Sequence, residues 1–137
     1  MLIRQFEDAD GSAVILLWDA VSRSDAPHND PALAIRNKLA VGRDLFLVAE
    51  CDGAVVGTVM GGYDGHRGWV YAVAVSPGYR RRGIATALIR RLEGELAERG
   101  CLKVNLQVRG SNGEAVSLYE KLGFRVEDRV SMGKRLY

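Results

Sequence analysis

Residues Trp69 to Val75 are nearly continuous in apolar, β-favouring side chains, and within ten residues the pattern becomes helical. A strand that is apolar on both faces has to be covered on both faces, so it belongs in the middle of a sheet. Ser76-Pro77-Gly78 breaks it. A helix is then predicted from about Gly83 to Arg99, with Ala87, Leu88, Leu92, Leu96 and Ala97 on one face and Arg and Glu on the other. Gly100 supplies its stop. This unit demands an α/β or α+β mixed sheet with helices on both faces.

The rest of the chain fits around it. Leu2 to Phe6 reads as a first strand. Asp8 to Ser22 is helical in period, with Val14, Leu17, Trp18 and Val21 on one face. Ser24 to Asn29 is a polar loop, and Asp30-Pro31 opens a second helix, to about Val41, with Asp as N-cap. Leu45 to Cys51 and Ala54 to Gly61 flank Asp52-Gly53, a strong hairpin signal. Gly61 to Gly68 reads as a loop. Lys103 to Val108 is a strand, Asn112 to Leu122 a helix ended by Gly123, and Phe124 to Arg129 and Ser131 to Tyr137 two last strands. The expected order is β-α-α-β-β-β-α-β-α-β-β. No linker or repeat divides it, so 1–137 is expected to be a single domain.

Composition narrows the function. A net charge of +2 is too mild for general nucleic-acid or membrane binding. The arginines are nevertheless concentrated: Arg80, Arg81, Arg82, Arg90 and Arg91 share one stretch, which suits a local anionic ligand. Cys51 and Cys101 stand far apart with no Cys/His cluster, so no metal site is expected. Without a leader-like start or a long apolar run, the expected compartment is cytoplasmic.

The segment from Ala74 to Leu88 is a strand, a short loop and a helix start. Backbone N–H groups in a helix's first turn have no intrahelical partner, and with the helix dipole they favour an anion. Gly83 lets a ligand approach the backbone, Ala85 keeps the start accessible, and the arginines can fork onto phosphate oxygens. No P-loop and no dinucleotide fingerprint is present. A solvated basic helix start also fits these residues, whereas RNA contact lacks the accompanying aromatic strands.

Arg80-x-x-Gly83-x-Ala85 after a buried strand resembles the Gln/Arg-x-x-Gly-x-Gly/Ala motif of the GNAT superfamily of N-acetyltransferases. Asn112-x-x-Ala115-x-x-Leu118-Tyr119-x-x-Leu122-Gly123-Phe124 resembles that family's Asn-x-x-Ala-x-x-Leu-Tyr-x-x-x-Gly-Phe segment. The resemblance spans essentially the whole chain and implies the GNAT fold. It implies transfer of an acetyl group from acetyl-coenzyme A, as cosubstrate, to a primary amine of a small molecule or peptide in a ternary complex. A non-catalytic acyl-coenzyme A-binding or docking module of the same fold is the alternative.

By this resemblance the pyrophosphate lies on the backbone of Arg81, Arg82, Gly83, Ile84, Ala85 and Thr86, with Arg80 carrying the motif. The pantetheine arm runs beside Val73, Ala74 and Val75, where strands splay, and a backbone N–H near Val75 faces the oxyanion. Tyr119 is the expected general acid for the leaving thiolate, and Asn112 is both an N-cap and a cofactor contact. The base stays open: the central strand holds no carboxylate, leaving Glu50, Asp64, His66 or water. An acceptor pocket is expected from roughly Trp18 to Pro31 and from the Tyr63 to Arg67 loop, where Asp25, Asp30 and Asp64 would attract a cationic amine. The expected partners are the amine acceptor, no nucleic acid, no membrane and, by family habit, a second copy in a homodimer.

Overall fold

In the computed structural model, which describes residues 1–137, the chain forms two compact units, residues 1–107 and 108–137. The first holds one sheet in the spatial order β1-β2-β3-β4-β5: β1 Leu2–Gln5, β2 Phe46–Cys51, β3 Ala54–Tyr63, β4 Gly68–Val75 and β5 Val104–Leu106. The first four strands are antiparallel to their neighbours, and β5 runs parallel to β4. Helices α1 (Gly11–Val21) and α2 (Pro31–Val41) join β1 to β2, and α3 (Ile84–Glu98) joins β4 to β5.

Alternation along β2 assigns the two faces. Leu47 and Ala49 pack with Ile84, Leu88, Leu92 and Leu96 of α3. Phe46 and Val48 pack with Val14, Leu17 and Trp18 of α1 and Ile35 of α2. On that second face Phe6 stacks on Phe46 at 4.4 Å, and Trp18 lies beyond at 6.1 Å. The four α3 residues recur every four positions and are at most 3% exposed, each contributing roughly 1.5–3 kcal/mol of burial.

The helix lies close because the sheet offers it glycines. A Cβ at Gly57 would meet Ile84 Cγ2 at 2.9 Å, one at Gly61 would meet Leu92 Cδ2 at 2.9 Å, and one at Gly68 would meet Leu96 Cδ1 at 3.1 Å. Three glycines on adjacent strands thus line the path of one apolar stripe.

The hairpin tip Asp52-Gly53 forms as expected, with positive φ at both residues (53° and 77°), as a type I′ turn requires. Asp30 caps α2 by accepting from Leu33 N at 3.0 Å. The expected loop from Gly61 to Gly68 shrinks to residues 64–67, because β3 continues through Gly61 and Gly62 to Tyr63. Gly61 serves close packing rather than a turn. Residues Asp8–Asp10 form a 3-10 turn ahead of α1 instead of its first turn. Asp10 caps that turn, accepting from Glu7 N, while its carboxylate also takes two bonds from Arg4.

The second unit contains α4 (Gly113–Lys121), capped by Asn112 Oδ1 accepting from Ala115 N at 3.1 Å. Its end is a Schellman turn: Gly123 N donates to Glu120 O, and Phe124 N donates to Tyr119 O, both at 3.0 Å. The two strands expected over Phe124 to Arg129 and Ser131 to Tyr137 do not form. Val126, Val130, Met132 and Leu136 alternate with polar residues but stay exposed. Alternation specifies a strand only when a ladder and a buried face complete it.

Candidate functional site

At the C-terminal end of β4 the chain makes a 3-10 turn, Pro77–Tyr79, and then Arg80 is extended (φ −68°, ψ 157°). Arg81 and Gly83 are both left-handed (φ 63° and 75°). A left-handed residue followed by a right-handed one, as at Gly83 and the first helical residue Ile84, turns successive N–H groups to one side, the geometry of an anion-binding nest. No side chain caps α3, whose N-cap is Gly83 itself. The first internal helical bond is Ala87 N to Gly83 O at 3.0 Å. The N–H groups of Ile84, Ala85 and Thr86 precede it and point out of the helix start. A Cβ on Gly83 would meet nothing within 4 Å, so the space over the turn is open.

Side chains around the turn divide in two. Ile84 is buried against Gly57, leaving only its backbone for the turn. Arg80, Arg81 and Arg82 are exposed. The Arg82 guanidinium lies 4.8 Å from the centre of the Tyr79 ring, a placement worth about 0.5–1 kcal/mol at an exposed site.

Upstream, β4 outruns its neighbour. Its ladder with β5 pairs Gly68, Trp69 and Val70 with Val104, Asn105 and Leu106, then stops. Residues 71–75, including Val73, Ala74 and Val75, keep β3 on one side and have no β5 partner on the other. Within this stretch β4 is bulged: Thr58 faces Ala74 but Met60 faces Tyr71, so Ala72 and Val73 together oppose Val59. Ala72 takes φ 51°, left-handed for a non-glycine residue. Thr58 Oγ1 donates to Ala72 O and accepts from Trp18 Nε1, both at 2.8 Å. Sequence reasoning passed over Thr58 and Ala72. The one signal was a hydroxyl inside an apolar strand, and it is shared by every β-branched strand residue of its kind.

Asn112 and Tyr119 lie in the second unit. Burial pushes the Tyr119 phenol above its ordinary pKa, so it is protonated at neutral pH. Its ring meets the edge of Phe124 at 5.8 Å and 72°. The Schellman turn explains this pairing, since its two hydrophobic positions are these residues.

Of the candidate bases, Glu50 accepts from Arg4 Nε at 2.9 Å. Asp64 accepts from the N–H groups of Arg67 and His66, both at 2.8 Å, and these bonds hold its carboxyl below the usual range. Asp64 and His66 precede β4, whereas the bulge is four residues into it. The stretch from the start of β4 to the bulge alone is about 13 Å of extended strand.

A cavity of about 410 Å³ opens between α1, α2 and their connection, lined among others by Asp19, Arg23, Asp25, Pro27, Asp30 and Pro31. Its lining overlaps the stretch from Trp18 to Pro31 but differs from it in two respects. Trp18 does not line it but is buried under the sheet, and the Tyr63 to Arg67 loop takes no part. The indole N–H found its partner in the core, which drew the ring inward. No group of three or more His, Cys, Asp or Glu side chains is placed to hold a metal ion, and no helix is long and apolar enough to cross a membrane.

An acetyltransferase of Sodalis glossinidius (strain morsitans) is 54% identical over 139 residues, covering 99% of this chain and 96% of the relative. The crystal structure of Ard1 from Thermoplasma volcanium superposes with a TM-score of 0.82 at 26% identity, over 92% of this chain and 83% of that one. The aminoglycoside acetyltransferase AAC(6')-Iy, solved with a coenzyme A bisubstrate analog, has the same fold at 20% identity, with a TM-score of 0.78 over 98% and 97% of the two chains. The family model described as acetyltransferase (GNAT) family matches residues 13–124. With most of its length inside that match and a curated acetyltransferase at 54% identity, the chain belongs to the acetyltransferase (GNAT) family.

Proposed function

We propose that the chain transfers the acetyl group of acetyl-coenzyme A to a primary amine of a small molecule or peptide, by direct attack within a ternary complex. The observation that carries this is a strand that outlasts its parallel neighbour and ends in an uncapped helix start with open space above it. An extended polyamide can bond to the free side of β4 as an added strand does. A pyrophosphate fits N–H groups that nothing else uses. That AAC(6')-Iy was solved with a coenzyme A analog supports the same ligand here.

The roles follow from the residues. The N–H groups of Arg81 to Thr86 hold the pyrophosphate, and Arg80, Arg81 and Arg82 add positive field. Backbone groups of Val73, Ala74 and Val75 hold the pantetheine and offer an N–H to the thioester oxygen as it gains charge. The bound cosubstrate supplies the activated acetyl group. Tyr119, protonated at neutral pH, donates to the departing thiolate, and Asn112 contacts the cofactor from its capping position. With Glu50 and Asp64 already bonded, and His66 beyond the far end of β4, water takes the proton from the amine. The cavity edged by Asp19, Asp25 and Asp30 receives an acceptor that carries positive charge.

Residues 1–137 act as one N-acetyltransferase domain, in keeping with a family match that runs across the junction at residues 107 and 108. Calorimetry with acetyl-coenzyme A and coenzyme A, followed by thiol release across a panel of amines, tests the function. Micromolar binding and amine-dependent thiol release are expected. Absence of binding by either nucleotide defeats the proposal at its first step.

A further inference from the structure

Thr58 is wholly buried, and it and Asp10 are the buried polar side chains of the protein. A hydroxyl has one proton to give. Here it goes to Ala72 O, and the Trp18 N–H fills a lone pair of Thr58 Oγ1, so the rotor has a single orientation. The receiving carbonyl belongs to the left-handed residue of the β4 bulge. At a bulge the extra residue leaves the ladder, and its polar groups need another partner. Left-handed backbone is unfavourable for alanine and persists where surrounding bonds enforce it. The hydroxyl of Thr58 is such a bond, and the indole of Trp18 fixes the hydroxyl.

The consequence reaches the next residues. A bulge inserts one position and turns the strand after it. Beyond Ala72, Val73 and Val75 pack toward the α3 face while Ala74 is buried on the α1–α2 face. If the bulge relaxed into the ladder, this alternation would slip by one, and every backbone N–H from 73 to 75 would exchange sides.

We propose that Thr58, buttressed by Trp18, is a positioning residue: it holds the Ala72 bulge and thereby aims the backbone of residues 73–75 at the thioester end of acetyl-coenzyme A. This rests on the acetyl-transfer function proposed above. Thr58 touches no reacting atom and acts through Ala72. Trp18 brings α1 into the same arrangement, so a helix that edges the acidic cavity also steadies the strand that holds the acetyl donor.

Three variants test it: Thr58→Val, which keeps the shape and removes the hydroxyl, Thr58→Ser, which restores it, and Trp18→Phe, which removes the indole N–H. The Cβ chemical shift of Ala72 reports its backbone conformation without any substrate. Calorimetry gives the affinities for coenzyme A and acetyl-coenzyme A separately, and thiol release with the best amine of the panel gives kcat. In Thr58→Val, Ala72 leaves the left-handed region and coenzyme A affinity stays within about twofold. Acetyl-coenzyme A loses its advantage over coenzyme A, and kcat falls about tenfold or more. Thr58→Ser restores all three, and Trp18→Phe falls between. An unmoved Ala72 shift in folded Thr58→Val overturns the proposal, as does a kcat loss that Thr58→Ser shares. Wild-type protein that binds neither nucleotide defeats the acetyl-transfer function and the positioning role together. Wild-type binding with Ala72 unmoved in Thr58→Val defeats the positioning role alone.

Discussion

At Tyr119 a packing contact and the proposed chemistry make demands on the same side chain. Its ring is held against Phe124 by the turn that ends α4, and the same burial raises its phenol pKa. A raised pKa keeps the proton available through neutral and mildly alkaline pH. In the proposed role of general acid, Tyr119 therefore sustains kcat through neutral and mildly alkaline pH and loses it only above the ordinary phenol range, where the buried phenol ionises. Tyr119→Phe should lower kcat about 100-fold with coenzyme A affinity within about twofold, and pre-steady-state thiol release measures the first effect. Affinity lost with turnover kept would remove Tyr119 from the chemistry. At Gly83 two effects can be separated. Valine there is strained by the positive φ and also crowds the turn, whereas asparagine tolerates left-handed backbone. Gly83→Asn should keep the melting temperature within a few degrees and weaken coenzyme A about tenfold, whereas Gly83→Val loses both. Equal coenzyme A affinity in wild type and Gly83→Asn would show that the space above the turn is not used.

Among the elements, α3 depends most on what the sheet lacks. A side chain at Gly57 would push on Ile84 and Leu88, at the helix start, while one at Gly61 would push on Leu92, at its middle. Gly57→Val and Gly61→Val should each destabilise the protein by about 1–3 kcal/mol in urea titrations. Only Gly57→Val should also weaken coenzyme A, because it displaces the turn. Equal loss of affinity in both would mean that α3 moves as a rigid rod. The legibility of the elements follows the same physics. The strand from Trp69 to Val75, the helix after it and the Asp52-Gly53 hairpin were readable, because each is set by local pattern or turn chemistry. Gly61 misled, since a glycine placed for a helix on the far side of a strand looks like a glycine placed for a turn. The final strands misled because Val126 and Val130 have the right spacing but no face to bury. In the candidate site, the turn from Arg80 to Thr86 was legible as a contiguous motif. The Trp18–Thr58–Ala72 connection was not, for it joins three elements through bonds between residues 14 and 40 positions apart.

For the whole molecule, one partly buried knot ties acid stability to the joining of three elements. Arg4 donates two bonds to Asp10 and one to Glu50, tying β1, the turn before α1 and β2 together. The bonds from Arg4 hold the Asp10 carboxyl below its ordinary range. A depressed carboxyl pKa contributes stability that is complete above its unfolded value, near 4, and is lost as pH falls through the folded value. Asp10→Asn should cost about 2 kcal/mol at pH 7 and flatten the decline of stability below pH 4. Urea midpoints taken from pH 7 to pH 2 measure both, and an unchanged acid slope would place the sensitivity elsewhere.

The spatial order of the strands, β1 to β5, is also their order along the chain. A two-residue tip joins β2 to β3, and residues 64–67 join β3 to β4, so these three strands close only short loops to meet. β1 and β5 each wait for an intervening helix or helix pair to fold back. In kinetic terms the meander from residue 46 to 75 is the low-contact-order part of the sheet, and it is where rapid amide protection is expected in pulsed exchange. On a ribosome it could assemble before the arginine turn had left the exit tunnel, so the strand proposed to carry the pantetheine would be in register before the turn proposed to bind the phosphates exists.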